Sequence, residues 1–356
     1  MYIHTLETSA LLSNENYYDI QNTLKEKDKS KWVAEKNGMT YFGLSEKGII
    51  IKFFRIKKKG YYAYSLTYRI SARRVMENYN FVGLFNTKYY DELKNEVNRL
   101  LEEKCDLLPK LKHCSLRRLD FCINTRLENQ EQVQAYIKTA KRANTPAHLT
   151  VYTAYNPTSK RKKPMKDDYT VHSSEYIAIS IYNKYRQMKK EKNVNYSDRD
   201  LKDAENIVRI EIRCMEEKIK ALKKKFNIET ISEFFNNADM IGNYLYMYYL
   251  PKIFGKGKIC TLNEAIKKIE MSGYRTENIE IMKDFIEEAN LSRSAGKTVD
   301  LFKNYLGKKE VKRILYMFEL IDTNYVTITN EDAKVFPDGY IPTPLELYED
   351  FVNEKQ

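Results

Sequence analysis

Apolar and polar residues alternate in several short runs along the first two thirds of the chain, and this pattern predicts β-strands. Most of these runs are rich in β-branched and aromatic residues, which favour extended structure. The first 40 residues, by contrast, are polar and mixed, and no strand is predicted there. The predicted strands cover residues 40–44, 48–57, 61–71, 115–124, 148–155, 175–183 and 207–214.

Apolar residues at helical spacing predict helices between some of these strands and throughout the segment after Met215. The clearest case is YYDELKNEVNRLLEEKC, in which the apolar residues share one face and Thr87 is a candidate N-cap. The basic segment 184–192 fits either a helix or a loop. Helices are predicted at residues 89–105, 129–142, 216–226, 230–249, 261–271, 277–290 and 298–321.

The order of these elements predicts an α+β fold with a largely antiparallel sheet. Residues 1–225 are expected to form the sheet-containing domain, and residues 226–330 a helical domain for DNA recognition or interaction. A helix-turn-helix is a candidate within residues 261–321, although its recognition helix is not evident. Residues 331–356 are expected to form a tail or a short docking helix.

Three of the predicted strands have one strongly apolar face and one polar face. In SLRRLDFCIN the polar face carries Asp120, in EYIAISIYN it carries Tyr182, and in IVRIEIRC it carries Glu211. If these strands are neighbours, the three side chains meet on one side of the sheet. The alternative is that this side is simply the polar face of a sheet with no special role.

The three residues suit phosphodiester chemistry. Two carboxylates are suitable ligands for Mg²⁺ or Mn²⁺, and a tyrosine hydroxyl can attack a phosphate to leave a phosphotyrosine. Nearby cations, among them Lys184, would lower the tyrosine pKa or bind flanking phosphates.

Charge and cysteine content narrow the class of protein. There are 61 lysine and arginine residues against 49 acidic ones, a net charge of +12, which is typical of proteins that bind a polyanion. An AT-rich genome would also give a lysine-rich and tyrosine-rich composition. Five cysteines without a C-x-x-C pair, no secretory signal and no long apolar run predict reduced thiols and a cytoplasmic protein without a membrane segment. The four histidines are scattered, so a zinc site is not expected.

Two basic segments with nearby aromatic residues, 160–166 and 184–192, suit phosphate contact and base stacking. Tyr185 is also a second candidate for the nucleophile, because it is followed four residues later by Lys189. The residues expected to contact DNA are Arg118, Arg209, Arg213, Lys160, Arg161, Lys162, Lys163, Tyr185 and Arg186.

The motifs RRLDFCIN (117–124), SIYNKYRQ (180–187) and VRIEIR (208–213) resemble, in order and spacing, those of rolling-circle replication initiators. The resemblance is to the replication initiation factor or Rep_trans family of plasmid initiators and related relaxases. It implies a relaxase-like five-stranded sheet, related to the HUH endonucleases but with carboxylates replacing the histidine pair.

The resemblance further implies that Tyr182 is the nucleophile of a site-specific DNA nickase, that Lys184 assists it, and that Asp120 and Glu211 bind Mg²⁺ or Mn²⁺. The implied partner is origin DNA, single-stranded at the nick, with a homodimer and a host helicase as further candidates.

Two positions depart from the family pattern, which has acidic residues where this chain has Asn124 and Arg213. Asn124 can still offer a carbonyl oxygen to a metal, and Glu175 is a candidate to complete the site. These departures favour an alternative function, a non-catalytic DNA-binding regulator on the same scaffold. An RNA-binding protein is a further alternative, for which no RNP1-type sequence is found.

Overall fold

The strands predicted from alternation belong to a sheet that is larger than expected. The computed structural model describes residues 1–35, 38–76, 82–146, 148–151, 168–191 and 196–354. The strands are β1 (Tyr2–Leu12), β2 (Trp32–Glu35), β3 (Gly38–Tyr41), β4 (Ile49–Lys57), β5 (Tyr62–Ser71), β6 (Phe85–Asn86), β7 (Ser115–Arg126), β8 (Thr150–Val151), β9 (Tyr169–Ser173), β10 (Ile177–Asn183) and β11 (Ile207–Met215).

In the described part of the chain these eleven strands follow the order β2-β3-β4-β5-β1-β7-β11-β10-β9-β8, with β6 paired to β1. The helices are α1 (Asn14–Lys27), α2 (Ala72–Met76), α3 (Tyr90–Lys104), α4 (Gln130–Ala140), α5 (Lys184–Lys190), α6 (Asp198–Asp203), α7 (Glu216–Phe226), α8 (Ile231–Asn236), α9 (Ala238–Phe254), α10 (Leu262–Glu270), α11 (Thr276–Ser292), α12 (Ala295–Leu306), α13 (Lys308–Leu320), α14 (Asn330–Lys334) and α15 (Pro344–Asn353). The predicted α+β class is confirmed, but the sheet exceeds the five strands that the resemblance implied.

The chain divides into two compact units. The first comprises Met1–Cys122, Glu175–Ile177 and Ile212–Gly242. The second comprises Ile123–Ser174, Ala178–Glu211 and Asn243–Gln356.

The first unit contains the predicted β4–β5 hairpin and three strands that were not predicted, β1, β2 and β6. Antiparallel pairing joins β1 to β5 on one side and to β7 on the other. Strand β1 escaped prediction because Thr5 and Thr8 occupy buried positions, where an apolar residue would have shown the alternation. The description of the first 40 residues as lacking a strand was therefore wrong.

Helix α3 contributes to the core of the first unit. Helix α3 buries the predicted apolar stripe, which includes Leu93 and Val97, as its spacing requires. Its N-cap residue is Tyr89 rather than Thr87, which lies in a preceding turn of 3₁₀-helix capped by Asn86.

The second unit contains most of the helices. Helix α9 is apolar around most of its circumference, and its buried Tyr246 stacks on Tyr348 of α15 with ring centroids 4.4 Å apart. The predicted tail thus ends in a docked helix. The predicted helix over 298–321 is two helices, because Gly307 adopts a φ of 84° between α12 and α13. None of the helices described combines the length and apolar character needed to cross a membrane.

Candidate active site

Strand β7 supplies Asp120, whose carboxylate is almost completely buried at 1% exposure. The apolar face predicted for this strand is confirmed, since Leu119, Phe121 and Ile123 have no exposed surface. The opposite face is also covered, because Cys122 is equally buried. Asp120 is therefore an ionisable group inside the protein, and such a group must be paired or coordinated.

Two arginines pair with Asp120. Arg118 donates from Nε to Oδ1 at 2.8 Å and from Nη2 to Oδ2 at 2.6 Å, a bidentate ion pair. Arg213 donates from Nε to the same Oδ1 at 3.3 Å. Arg118 also reaches Glu7 of β1, at 3.2 Å. The predicted DNA contacts Arg118 and Arg213 thus also neutralise a buried carboxylate.

Strands β10 and β11 supply the other two predicted residues. Tyr182 is half-buried, and its hydroxyl donates a hydrogen bond to Glu211 Oε2 at 3.2 Å. Glu211 is buried, with 4% of its surface exposed. Both strands place their isoleucines in the core, as alternation predicted. A phenol held by a carboxylate is an arrangement from which the proton can pass to the carboxylate oxygen.

Arg209 and Asn124 form a separate pair in the second unit. Arg209 Nε donates to Asn124 Oδ1 at 2.7 Å, and Arg209 has no exposed surface. A guanidinium with no exposed surface cannot contact DNA in this conformation. The expectation that Arg209 contacts DNA is corrected on this ground, because burial of both faces of β11 was not evident from its alternation.

Helix α5 begins at Lys184, two residues after Tyr182. The side chain of Asn183 caps this helix by accepting a hydrogen bond from the Arg186 backbone N–H. Lys184 is buried, with its ammonium donating to Gln187 Oε1 at 2.8 Å. Tyr185, the second candidate nucleophile, is half-buried, and Lys189 Nζ lies 4.3 Å from its ring centroid. The predicted DNA contacts Lys160, Arg161, Lys162 and Lys163 lie outside the described residues.

In the first unit, one ligand atom of His4 lies within 4.8 Å of a carboxylate oxygen of Asp120, and both side chains are of types that bind metal ions. His4 was missed in the sequence because β1 was missed. Glu175, the acid considered as a further ligand, is exposed and hydrogen-bonds the hydroxyl of Tyr176 instead.

Burial controls the protonation of other reactive groups. It raises the pKa of the Cys214 thiol on β11 to about 12, so this thiol stays protonated and is a poor nucleophile. It lowers the pKa of His172 on β9 to about 4, so that imidazole is neutral at pH 7. All five cysteines are free, as predicted.

Comparison with known protein families gives a match that covers more than half of the chain. The matching model describes the N-terminal region of a phage replication-associated protein, and it aligns with residues 25–237. The match supports a replication initiator and does not show the more specific Rep_trans family. No curated protein and no solved structure matches the chain.

Proposed function

We propose that this chain, which belongs to the family of phage replication-associated proteins, initiates DNA replication by cutting one DNA strand with Tyr182 as the nucleophile. Membership of the family supports a role in starting replication. The cleavage step is our inference from the site, and one observation carries it, the hydrogen bond from the Tyr182 hydroxyl to the Glu211 carboxylate.

In the proposed step the Tyr182 oxygen attacks a backbone phosphorus of single-stranded DNA. A bond forms between that oxygen and phosphorus, and the bond from phosphorus to the 3′ oxygen breaks. Glu211 takes the phenolic proton, and the departing 3′ oxygen takes a proton from water. The 5′ end stays on the protein as a phosphotyrosine, and the free 3′ hydroxyl either primes synthesis or attacks to rejoin the strand.

The direction in which side chains point along β7 and β11 supports the roles proposed for Asp120 and Glu211. Strands β7 and β11 are neighbours in the sheet. Arg213 hydrogen-bonds Asp120, and Arg209 hydrogen-bonds Asn124. This pairing shows that β7 and β11 run antiparallel. Glu211 lies between the two arginines on β11 and points to the same face as both.

The ligands that we propose for a divalent ion are the carboxylates of Asp120 and Glu211, and the His4 imidazole near Asp120 would add a nitrogen ligand. Bound there, Mg²⁺ or Mn²⁺ would withdraw negative charge from a phosphate oxygen. An imidazole ligand suits Mn²⁺ better than Mg²⁺. Asn124 was a further predicted ligand, and its Oδ1 accepts a hydrogen bond from Arg209 Nε. We assign Lys184 to positioning α5 next to the tyrosine.

The proposal is tested on the supercoiled form of the replicon that encodes the protein, in Mg²⁺ or Mn²⁺. We expect nicked circles and a DNA–protein adduct that survives detergent, with Tyr182 as the modified residue in peptide mass spectrometry. Tyr182→Phe should give no adduct but should bind the DNA normally. Tyr185→Phe, the matched control, should behave as wild type. An adduct in Tyr182→Phe, or none in wild type with either ion, would contradict the proposal.

A second function has one specific observation in its favour. The bidentate hold of Arg118 on Asp120 already neutralises a carboxylate that a metal would use. This suits a DNA-binding regulator that does not cut DNA. Tight binding of the replicon origin without any nick in the same experiment would select this alternative.

A further inference from the structure

The β4–β5 hairpin carries a concentration of exposed residues at its tip. Residues 55–62 read RIKKKGYY and all eight are exposed. The turn is closed by a hydrogen bond from the Lys58 N–H to the Tyr61 carbonyl at 2.9 Å. Gly60 has a φ of 85°, a conformation that favours glycine and permits this tight reversal.

The tip is strongly positive. Its four cations are Arg55, Lys57, Lys58 and Lys59, and no ion pair involving them is found among the described residues. Exposed arginines elsewhere do have acidic partners, as Arg99 has in Glu96. Four like charges on eight residues repel one another, and a polyanion would relieve that repulsion.

Two aromatic rings lie on the same face as two of the cations. The register pairs Arg55 with Tyr64 and Lys57 with Tyr62, which places these four side chains on one side of the hairpin. The Arg55 guanidinium lies 4.0 Å from the Tyr62 ring centroid. Tyr62 and Tyr64 are 6.5 Å apart between centroids, and Tyr61 beside them is 64% exposed.

We propose that this hairpin face is a binding site for single-stranded DNA, separate from the Tyr182 site. The cations would contact successive phosphates, and Tyr61 and Tyr62 would stack on unpaired bases. Unpaired bases are favoured because a duplex keeps its ring faces stacked inside. The choice of DNA over RNA rests on the proposed function. The binding of a single-stranded nucleic acid is inferred from the charge and the exposed rings alone.

The test measures binding of the full chain to a fluorescent 20-nucleotide thymidine strand between about 50 and 300 mM salt by anisotropy. Lys57→Ala/Lys58→Ala/Lys59→Ala should reduce the slope of log affinity against log salt by about 2, since each lost phosphate contact removes about 0.7. Tyr61→Ala/Tyr62→Ala should weaken binding at least about thirtyfold at one salt concentration, since each stacked base contributes about 1 kcal/mol or more, and should leave the slope unchanged.

The matched control removes three exposed lysines from α13, Lys308, Lys309 and Lys312, which form no ion pair in the described part of the chain. We expect less than a twofold change in affinity and an unchanged slope. Equal losses from hairpin and control would overturn the proposal, because net charge alone would then explain them. So would a hairpin variant with wild-type affinity, or wild-type binding equally tight to a 20-base-pair duplex.

Failure of this inference and failure of the proposed function are distinguishable. The Tyr182→Phe variant should bind the thymidine strand like wild type, and the hairpin variants at saturating DNA should still form the covalent adduct. Hairpin-dependent binding without an adduct in wild type would contradict only the nickase. An adduct with hairpin-independent binding would contradict only the hairpin site.

Discussion

The regions around Asp120 and Glu211 differ although both carboxylates are buried, with 1% and 4% exposure. Asp120 is held through both oxygens by Arg118, a charge-neutralising ion pair inside the fold. Glu211 accepts a hydrogen bond from a neutral phenol, that of Tyr182. Burial is therefore the same, but an arginine is bonded to Asp120 and a tyrosine to Glu211. We infer that Asp120 contributes mainly to stability and Glu211 mainly to the reaction.

The largest effect should come from Glu211→Gln. This variant keeps the shape of the side chain but removes both the proton acceptor and the charge that would bind a metal. We expect adduct formation to slow about a thousandfold, with a smaller loss of stability than at Asp120. The measurement is single-turnover adduct formation on a replicon-derived strand. Glu175→Gln changes an exposed acid and is the control, which should react at the wild-type rate. A Glu211→Gln variant that also reacts at the wild-type rate would show that Glu211 does not contribute to the reaction.

The next effect is on stability, from Asp120→Asn. It removes the charge of the carboxylate that Arg118, whose side chain is 11% exposed, binds through both oxygens, and it leaves Glu7 as an acidic partner of Arg118. We expect the free energy of unfolding to fall by about 3 kcal/mol, measured by urea denaturation. Arg118→Met in the same chain should recover part of this loss, since the largely buried positive charge is then gone. A loss below about 1 kcal/mol would show that the ion pair is not what holds this region.

The strands of the site were predictable because one face of each is uniformly apolar. Ile179 and Ile181 on β10, and Ile210 and Ile212 on β11, are buried with no exposed surface. Such alternation fixes which way the polar residues point. It says nothing about whether their face is covered, and for this reason the burial of Arg209 was not foreseen.

The pairing of Arg118 with Asp120 could have been predicted from the sequence. Arg118 and Asp120 are two positions apart on one strand, so they share a face and their opposite charges can meet. The contribution of β1 had no comparable signal. Buried threonines hid its alternation, and the approach of His4 to Asp120, more than 100 positions away, depends on strand order, which one sequence does not reveal.

The smallest effect should come from this last residue, His4, and it tests whether the two carboxylates share one ion. We expect His4→Asn to weaken Mn²⁺ binding about tenfold in calorimetry and to weaken Mg²⁺ binding less, because imidazole is the softer ligand. His113→Asn, which changes an exposed histidine, should leave both affinities unchanged. Equal Mn²⁺ affinity in His4→Asn and wild type would remove His4 from the site. Mn²⁺ binding could instead be lost in Glu211→Gln but kept in Asp120→Asn. That result would show that the ion binds to Glu211 and not to Asp120, and the two carboxylates would then have separate roles.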